Sequence, residues 1–270
     1  MGASVAVIGG TGVYESAYLE DPQKITVETK FGRALLWQGR YHNREIYFLA
    51  RHGGGHALPP HLINYRANIA ALRKLGISAV IATAAVGSLR PEMAPGSLVL
   101  IDQFIDFTRG RRSTFFEGGP EGVIHVDLTT PYCPELRRAV LRAGSSLGEK
   151  IVNGGCYLCT EGPRFETPAE IRMFAQWGAD LVGMTNVPEV VLAREAGLCY
   201  ATIALVSNFA AGLSSAPLSH QEVLAEMARK KGLLDRLLVE TAVEIGAERA
   251  CHCSEGAVPL DLGEGTDERS

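Results

Sequence analysis

Ser78-Ala-Val-Ile-Ala-Thr-Ala-Ala85 lies between Gly76-Ile77 and Val86-Gly87. The run is almost continuously apolar, and its glycine flanks mark both ends. Apolar side chains pointing both ways along a strand require cover on both faces, as in a sheet layered between helices. Upstream, His61–Leu75 places apolar residues at Leu62, Ile63, Ile69, Leu72 and Leu75, which is helical spacing. Downstream, Ser97–Ile101 reads as another strand. The pattern extends outward from this centre. Ser4–Ile8 is a short apolar strand ending at Gly9-Gly-Thr-Gly12, and Arg33–Gln38 pairs with Arg44–Ala50 across the turn Gly39–Asn43. Pro134–Leu147 is a helix with proline in its first turn. Asn153–Thr160, Asp180–Met184 and Cys199–Val206 are strands. Thr167–Trp177, Pro188–Ala196 and Ser219–Val243 are helices, with capping-box spacing at Thr167/Glu170 and Ser219/Glu222. Strands alternating with helices define an α/β fold with the sheet at its centre.

The chain has 270 residues, 46% hydrophobic and 21% charged, the profile of a soluble globular protein. No linker or repeat divides it. Residues 1–253 read as one domain, and residues 254–270 as an acidic, flexible tail. A net charge of −4 argues against a surface built for nucleic acid. No apolar run approaches the ~20 residues of a membrane span, and the N-terminus lacks the charged and apolar regions of a signal peptide. A cytoplasmic location is expected. The six cysteines are too sparse for a disulfide scaffold. Cys156-Tyr-Leu-Cys159 has CxxC spacing, but it lies in a strand and no second CxxC exists, so no zinc site is expected there.

In α/β folds ligands bind where loops leave the carboxyl ends of strands. Chemistry-bearing residues cluster at those places here. Gly9-Gly-Thr-Gly12 lets backbone approach an anion, and Thr11 adds a hydroxyl. A dinucleotide fingerprint is incomplete, since its third glycine would fall at Tyr14, and the lysine of a P-loop is missing. Arg51-His52-Gly-Gly-Gly-His56 offers a planar two-pronged donor for phosphate; His56 fits a structural hydrogen bond as well as a ligand. Ala84-Ala85-Val86-Gly87 ends a strand in small residues. Thr185 places a hydroxyl just before a helix. Glu166 and Asn208 put a carboxylate and an amide on loops able to grip a heterocycle.

Taken together, these stretches resemble the purine nucleoside phosphorylase and methylthioadenosine phosphorylase family. The resemblance rests on Gly9-Gly-Thr-Gly12, Arg51-His52-Gly, Pro59-Pro60, Asn64-Tyr-Arg-Ala-Asn68, and above all Glu161-Gly-Pro-Arg-Phe-Glu-Thr167 and Gly183-Met-Thr-Asn-Val-Pro-Glu-Val-Val-Leu-Ala-Arg-Glu-Ala-Gly197. It runs in order over residues 4–245. It implies a single domain with a central twisted mixed sheet flanked by helices, assembled as a homotrimer or a dimer of trimers. It also implies reversible phosphorolysis of a purine nucleoside, with inorganic phosphate as cosubstrate and no metal or organic cofactor. By the same resemblance, Thr11, Arg51, His52, the backbone of Ala84 and Ala85, and Thr185 hold phosphate. Met184 meets the sugar and Phe165 stacks on the base. Asn208, Glu166 and His52 carry the catalytic roles.

Three positions bear on the substrate. The methylthioadenosine branch carries aspartates where this chain has Asn208 and Ala210, and a small hydroxyl residue in place of Glu166. The pair Glu166 with Asn208 resembles the branch acting on inosine and guanosine. Chemistry agrees: a 6-oxopurine presents N1–H to a carboxylate acceptor, whereas adenine presents a lone pair there. His220 resembles the histidine that branch places by the ribose 5′-hydroxyl. Other features point elsewhere. The Arg51-His52 loop and the region 115–134 look like the methylthioadenosine branch. Within that region His125 matches a residue lent to the neighbouring subunit near the 5′ group, and Ser207–Gly212 resembles methylthioinosine phosphorylase. S-methyl-5′-thioinosine and S-methyl-5′-thioadenosine are therefore the alternative substrates, and a noncatalytic nucleoside-binding module is the alternative of another class. Finally, Cys251-His-Cys253 resembles a CxC pair of some heat-stable relatives, with Cys133 and Cys199 as a second pair. The expectation in a cytosolic enzyme is reduced thiols.

Overall fold

The computed structural model describes residues 4–10, 18–53, 57–119, 122–214, 219–255, 260–263 and 268–269. The strand β5 (Ala79–Ser88) is the spine of the sheet. One edge pairs in parallel with β11 (Cys199–Phe209) along its whole length. The other edge is shared. β1 (Val5–Gly9) runs parallel to Ala79–Ala82, and β10 (Leu181–Gly183) runs antiparallel against Gly87 and Ser88. Thr83–Val86 therefore have no strand partner on that side.

From β1 the sheet continues through β4 (Arg44–Ala50), β3 (Gly32–Tyr41) and β2 (Glu20–Thr29) to the two-residue β12 (Glu268–Arg269). From β10 it continues through β9 (Cys156–Thr160) to β7 (Gln103–Phe107), and from β11 through β6 (Leu98–Leu100) to β8 (Ile151–Asn153). Parallel and antiparallel pairings coexist, giving the expected mixed sheet.

Strand alternation explains the layers. Ala6, Ile8, Val80 and Ala82 face one core with α1 (Tyr65–Lys74) and α4 (Asn186–Glu195). Val5, Val7, Ala79 and Ile81 face the opposite core with α2 (Pro134–Ser146) and α5 (His220–Glu244). Successive strand residues point to opposite faces, so a continuous apolar run supplies both cores. A smaller cluster packs α3 (Pro168–Gln176) through Ile171 and Phe174 onto Leu158 and Val182. Each fully buried aliphatic side chain contributes roughly 1.5–3 kcal/mol.

Local chemistry sets the boundaries. The Thr167 hydroxyl accepts from the Glu170 N–H and the Glu170 carboxylate accepts from the Thr167 N–H, completing the expected capping box. At α5 the Ser219 side chain accepts from the Glu222 N–H. His42 and Asn43 adopt positive φ angles between β3 and β4, the conformation of a tight hairpin turn.

Several boundaries differ from the sequence reading. The helix expected from His61 begins at Tyr65, because Pro60–Leu62 forms a 3-10 turn and Asn64 caps the helix by accepting from the Ala67 N–H. The strand expected over Asn153–Thr160 divides into β8 and β9 at Gly154, where φ is +112° and a Cβ would lie 2.9 Å from the Asp102 carboxylate. Strand β2 was not expected, since Ile25 and Val27 are its only buried residues. In α4, Val187 has extended backbone angles, so regular helix starts after it. Residues 260–262 return to the sheet edge, where the Lys30 N–H donates to the Leu262 carbonyl at 3.2 Å.

Candidate active site

β1 and β10 diverge along β5, and a cavity of about 440 Å³ opens at the unpaired stretch. Gly10, Ala84, Ala85, Val86 and Gly87 form its floor. The Gly10 N–H donates to the Thr83 hydroxyl at 2.9 Å. A Cβ on Gly10 would stand 2.8 Å from the Thr83 carbonyl, so only glycine allows this close approach. Thr11 and His56 lie outside the described residues.

Arg51 is buried and stands behind this floor. Its Nε and Nη2 donate to the two Glu189 carboxylate oxygens at 2.7 and 2.6 Å, and Nη1 donates to the Thr83 carbonyl at 2.8 Å. Burial alone would weaken the guanidinium's hold on its proton; Glu189 outweighs that and raises the pKa. Tyr200 also donates to Glu189 at 2.6 Å. Arg51 does not line the cavity; its Nη1 lies 3.1 Å from the position a Gly10 Cβ would take. His52 does line it. The His52 Nδ1 is 2.9 Å from the Leu58 carbonyl, an acceptor that fixes the proton on Nδ1.

At the opposite wall Glu166 is buried and accepts from the Thr160 hydroxyl at 2.7 Å. Burial pushes the Glu166 carboxyl above the usual range, and the Thr160 hydrogen bond offsets part of the rise. Asn208 follows a β-bulge: Val206 pairs with Val86 and Asn208 with Gly87, leaving Ser207 as the additional residue. Bulges re-aim side chains. Here the Ser207 hydroxyl donates to Asn208 Oδ1 at 2.7 Å, while Asn208 Nδ2 donates to the Phe209 carbonyl at 2.8 Å. The amide is thereby oriented with its oxygen engaged and a second N–H on Nδ2. Gly87 permits this arrangement, since a Cβ there would come 3.3 Å from Asn208 Nδ2.

Phe165, Met184, Thr185 and Ala210 complete this part of the wall. A side chain on Gly162 would strike the Met184 sulfur at 2.6 Å, and one on Gly183 would strike the Tyr157 hydroxyl at 2.3 Å. Tyr157 in turn accepts from the Thr185 N–H at 3.2 Å. The Thr185 side chain makes no capping bond to α4. The first turn of α5 brings His220 and Val223 to the cavity.

One cavity thus gathers His52, Ala84, Ala85, Phe165, Glu166, Met184, Thr185, Asn208, Ala210 and His220. His125 is exposed and does not line it. Sequence reading gave no role to Glu189, Tyr157, Thr160 or Ser207. Glu189 carried a usable signal, because a carboxylate inside the apolar run Val187-Pro-Glu-Val-Val-Leu192 must be paired if buried. Cys156 and Cys159 stand three residues apart on β9, so they face opposite sides of the sheet. Burial raises both thiols to about 11. Among the described residues, no helix is long and apolar enough to cross a membrane.

Residues 4–244 match the phosphorylase superfamily. The chain is 54% identical to a probable 6-oxopurine nucleoside phosphorylase of Moorella thermoacetica, covering 96% of this chain and 99% of that protein. It is 45% identical to a probable S-methyl-5′-thioinosine phosphorylase of Methanothermobacter thermautotrophicus, covering 98% of this chain and 92% of that protein. A methylthioadenosine phosphorylase from Schistosoma mansoni, solved in complex with adenine, superposes with a TM-score of 0.88 at 33% identity over 94% of this chain and 95% of that chain. Sequence and fold agree over nearly the whole length, and the chain belongs to the phosphorylase superfamily, as a nucleoside phosphorylase.

Proposed function

We propose that the chain catalyses reversible phosphorolysis of 6-oxopurine nucleosides, inosine and guanosine, to free base and ribose 1-phosphate, in cytoplasmic purine salvage. The observation that carries this reading is the oriented pair on one cavity wall. Glu166 is an acceptor held by Thr160, and Asn208 is a donor held by Ser207. A 6-oxopurine complements both, giving N1–H to Glu166 and taking an N–H from Asn208 at N7.

In the reaction the C1′–N9 bond breaks and a C1′–O bond to phosphate forms. The electron pair of the broken bond passes into the purine, and positive charge builds on the sugar. The Asn208 N–H meets the charge developing at N7, and Glu166 holds N1–H, so the leaving base departs as an oriented anion that takes its proton from solvent. The phosphate dianion lies at the glycine floor near Gly10, Ala84, Ala85, His52 and Thr185, where it faces the sugar cation. Thr11 joins this set by resemblance, and Arg51 supports it from behind with the Nη1 group that underlies Gly10. Met184 borders the sugar and Phe165 the base. The chemistry draws on inorganic phosphate alone, without a metal or organic cofactor in the cavity.

The assembly we propose is a homotrimer, single or paired, in which exposed His125 reaches the neighbour's 5′ end. A second reading, S-methyl-5′-thioinosine as substrate, is favoured by apolar Val223 and Leu58 on the same cavity as His220. The test is product release from inosine, guanosine, adenosine, methylthioadenosine and methylthioinosine, with and without phosphate. Phosphate-dependent cleavage of inosine and guanosine above adenosine is expected. Preference for a 6-aminopurine, or binding without turnover, contradicts the proposal.

A further inference from the structure

Four thiols from three distant stretches of chain meet at the end of β11 remote from the cavity. Cys133 is the N-cap of α2, Cys199 opens β11, and Cys251 and Cys253 follow α5. Their four sulfur atoms all lie within 4.8 Å of one another, with Cys199 Sγ 3.4 Å from Cys251 Sγ. Zinc–thiolate bonds of about 2.3 Å directed to the corners of a tetrahedron place the sulfurs about 3.8 Å apart. The observed spacing needs only small side-chain adjustments to match. Cys133, Cys199 and Cys253 are buried and Cys251 is half-buried, and four protein ligands fill the tetrahedral sphere of a structural site.

A positive charge stands beside the cluster. The Arg249 guanidinium acts electrostatically on Cys199. Arg249 is anchored by Nη1 to the Gly246 carbonyl at 3.1 Å, and its buried Nε has no hydrogen-bond partner. A guanidinium in this position offsets the negative charge a tetrathiolate site carries, as neighbouring groups do around structural metals.

We propose that Cys133, Cys199, Cys251 and Cys253 bind one zinc ion as a tetrahedral tetrathiolate that fastens the segment after α5 to β11 and α2. Four S–H groups release their protons to solvent and four sulfur–zinc bonds form, with no change in oxidation state. Cys199 and Asn208 are nine residues apart along one strand, about 30 Å at ~3.3 Å per residue. The ion is therefore a structural fastener, and catalysis does not pass through it.

The test uses the full-length chain expressed with zinc and purified without chelator, reductant or metal-affinity resin. Elemental analysis is expected to give one zinc per chain. After chelator treatment Tm is expected to fall, while kcat on inosine below the transition stays unchanged. Cobalt added to the stripped wild-type chain is expected to show the thiolate charge-transfer and visible bands of a tetrahedral tetrathiolate, a readout independent of whether variants fold. Cys251→Ser and Cys253→Ser should each abolish stoichiometric zinc. Zinc at background, two disulfides in non-reducing peptide mass analysis, or iron taken up in preference to zinc would each overturn the proposal.

Discussion

Arg51 and Glu189 form a two-pronged ion pair, at 2.6 and 2.7 Å, with both side chains fully shielded from water. Removing one member strands a buried charge, at a cost of about 3–5 kcal/mol. Glu189→Ala is expected to lower unfolding free energy by that order in urea titrations, and to raise KM for phosphate as Arg51 loses its anchor behind Gly10. A stability change within about 0.5 kcal/mol, the range of ordinary surface substitutions, would show that the pair is not the strut it resembles.

Glu166 gives a sharper expectation for the base. A hydrogen bond to a charged acceptor contributes roughly 1.5–3 kcal/mol. Glu166→Ala should therefore lower kcat/KM for inosine by about 10- to 150-fold, with little loss for adenosine. Equal losses on both nucleosides would remove Glu166 from N1.

The pH profile carries the sign of the Glu166 shift. Burial raises its pKa, and the ionised carboxylate is much the stronger acceptor for N1–H. kcat/KM for inosine should fall as pH drops through that raised value, so its acid limb lies above the ordinary glutamate pKa of 4.5. Thr160 donates the hydrogen bond that lowers the pKa, and Thr160→Val should move the limb to still higher pH. An acid limb that shifts downward in this variant would contradict the assignment.

His220 tests the sugar end. His220→Leu replaces a polar partner of a 5′-hydroxyl with an apolar side chain beside Val223, so activity on inosine should fall more than activity on methylthioinosine. Parallel losses in steady-state kinetics would place His220 outside the 5′ subsite.

The parts of this molecule that sequence made legible are those fixed by local periodicity and capping. Ser78–Ala85 shows its burial on both faces, and Thr167 with Glu170 shows the start of α3. The polar first half of β2 hid a strand that exists because β3 pairs with it. The bulge at Ser207 depends on register against β5, which no local pattern encodes, yet it sets the Asn208 amide. Arg51 was readable as an anion donor, but its partner lies 138 residues away, so the buried pair emerged only with the fold. The cysteines behaved likewise: Cys251 with Cys253, and Cys133 with Cys199, read as separate pairs until the chain brought all four sulfurs to one point.

The central claim is that Glu166 and Asn208 select a 6-oxopurine. The measurement that tests it most directly is the inosine-to-adenosine ratio of kcat/KM, in phosphate, for wild type and for Glu166→Ser/Asn208→Asp. In the variant an aspartate can share a proton with N7 and accept from the exocyclic amine. Since a site built for one hydrogen-bond pattern rejects the other by up to roughly 10⁴-fold, the account expects the ratio to be well above one in wild type and to fall by at least about 10²-fold in the variant. A ratio that is the same in both proteins would contradict it.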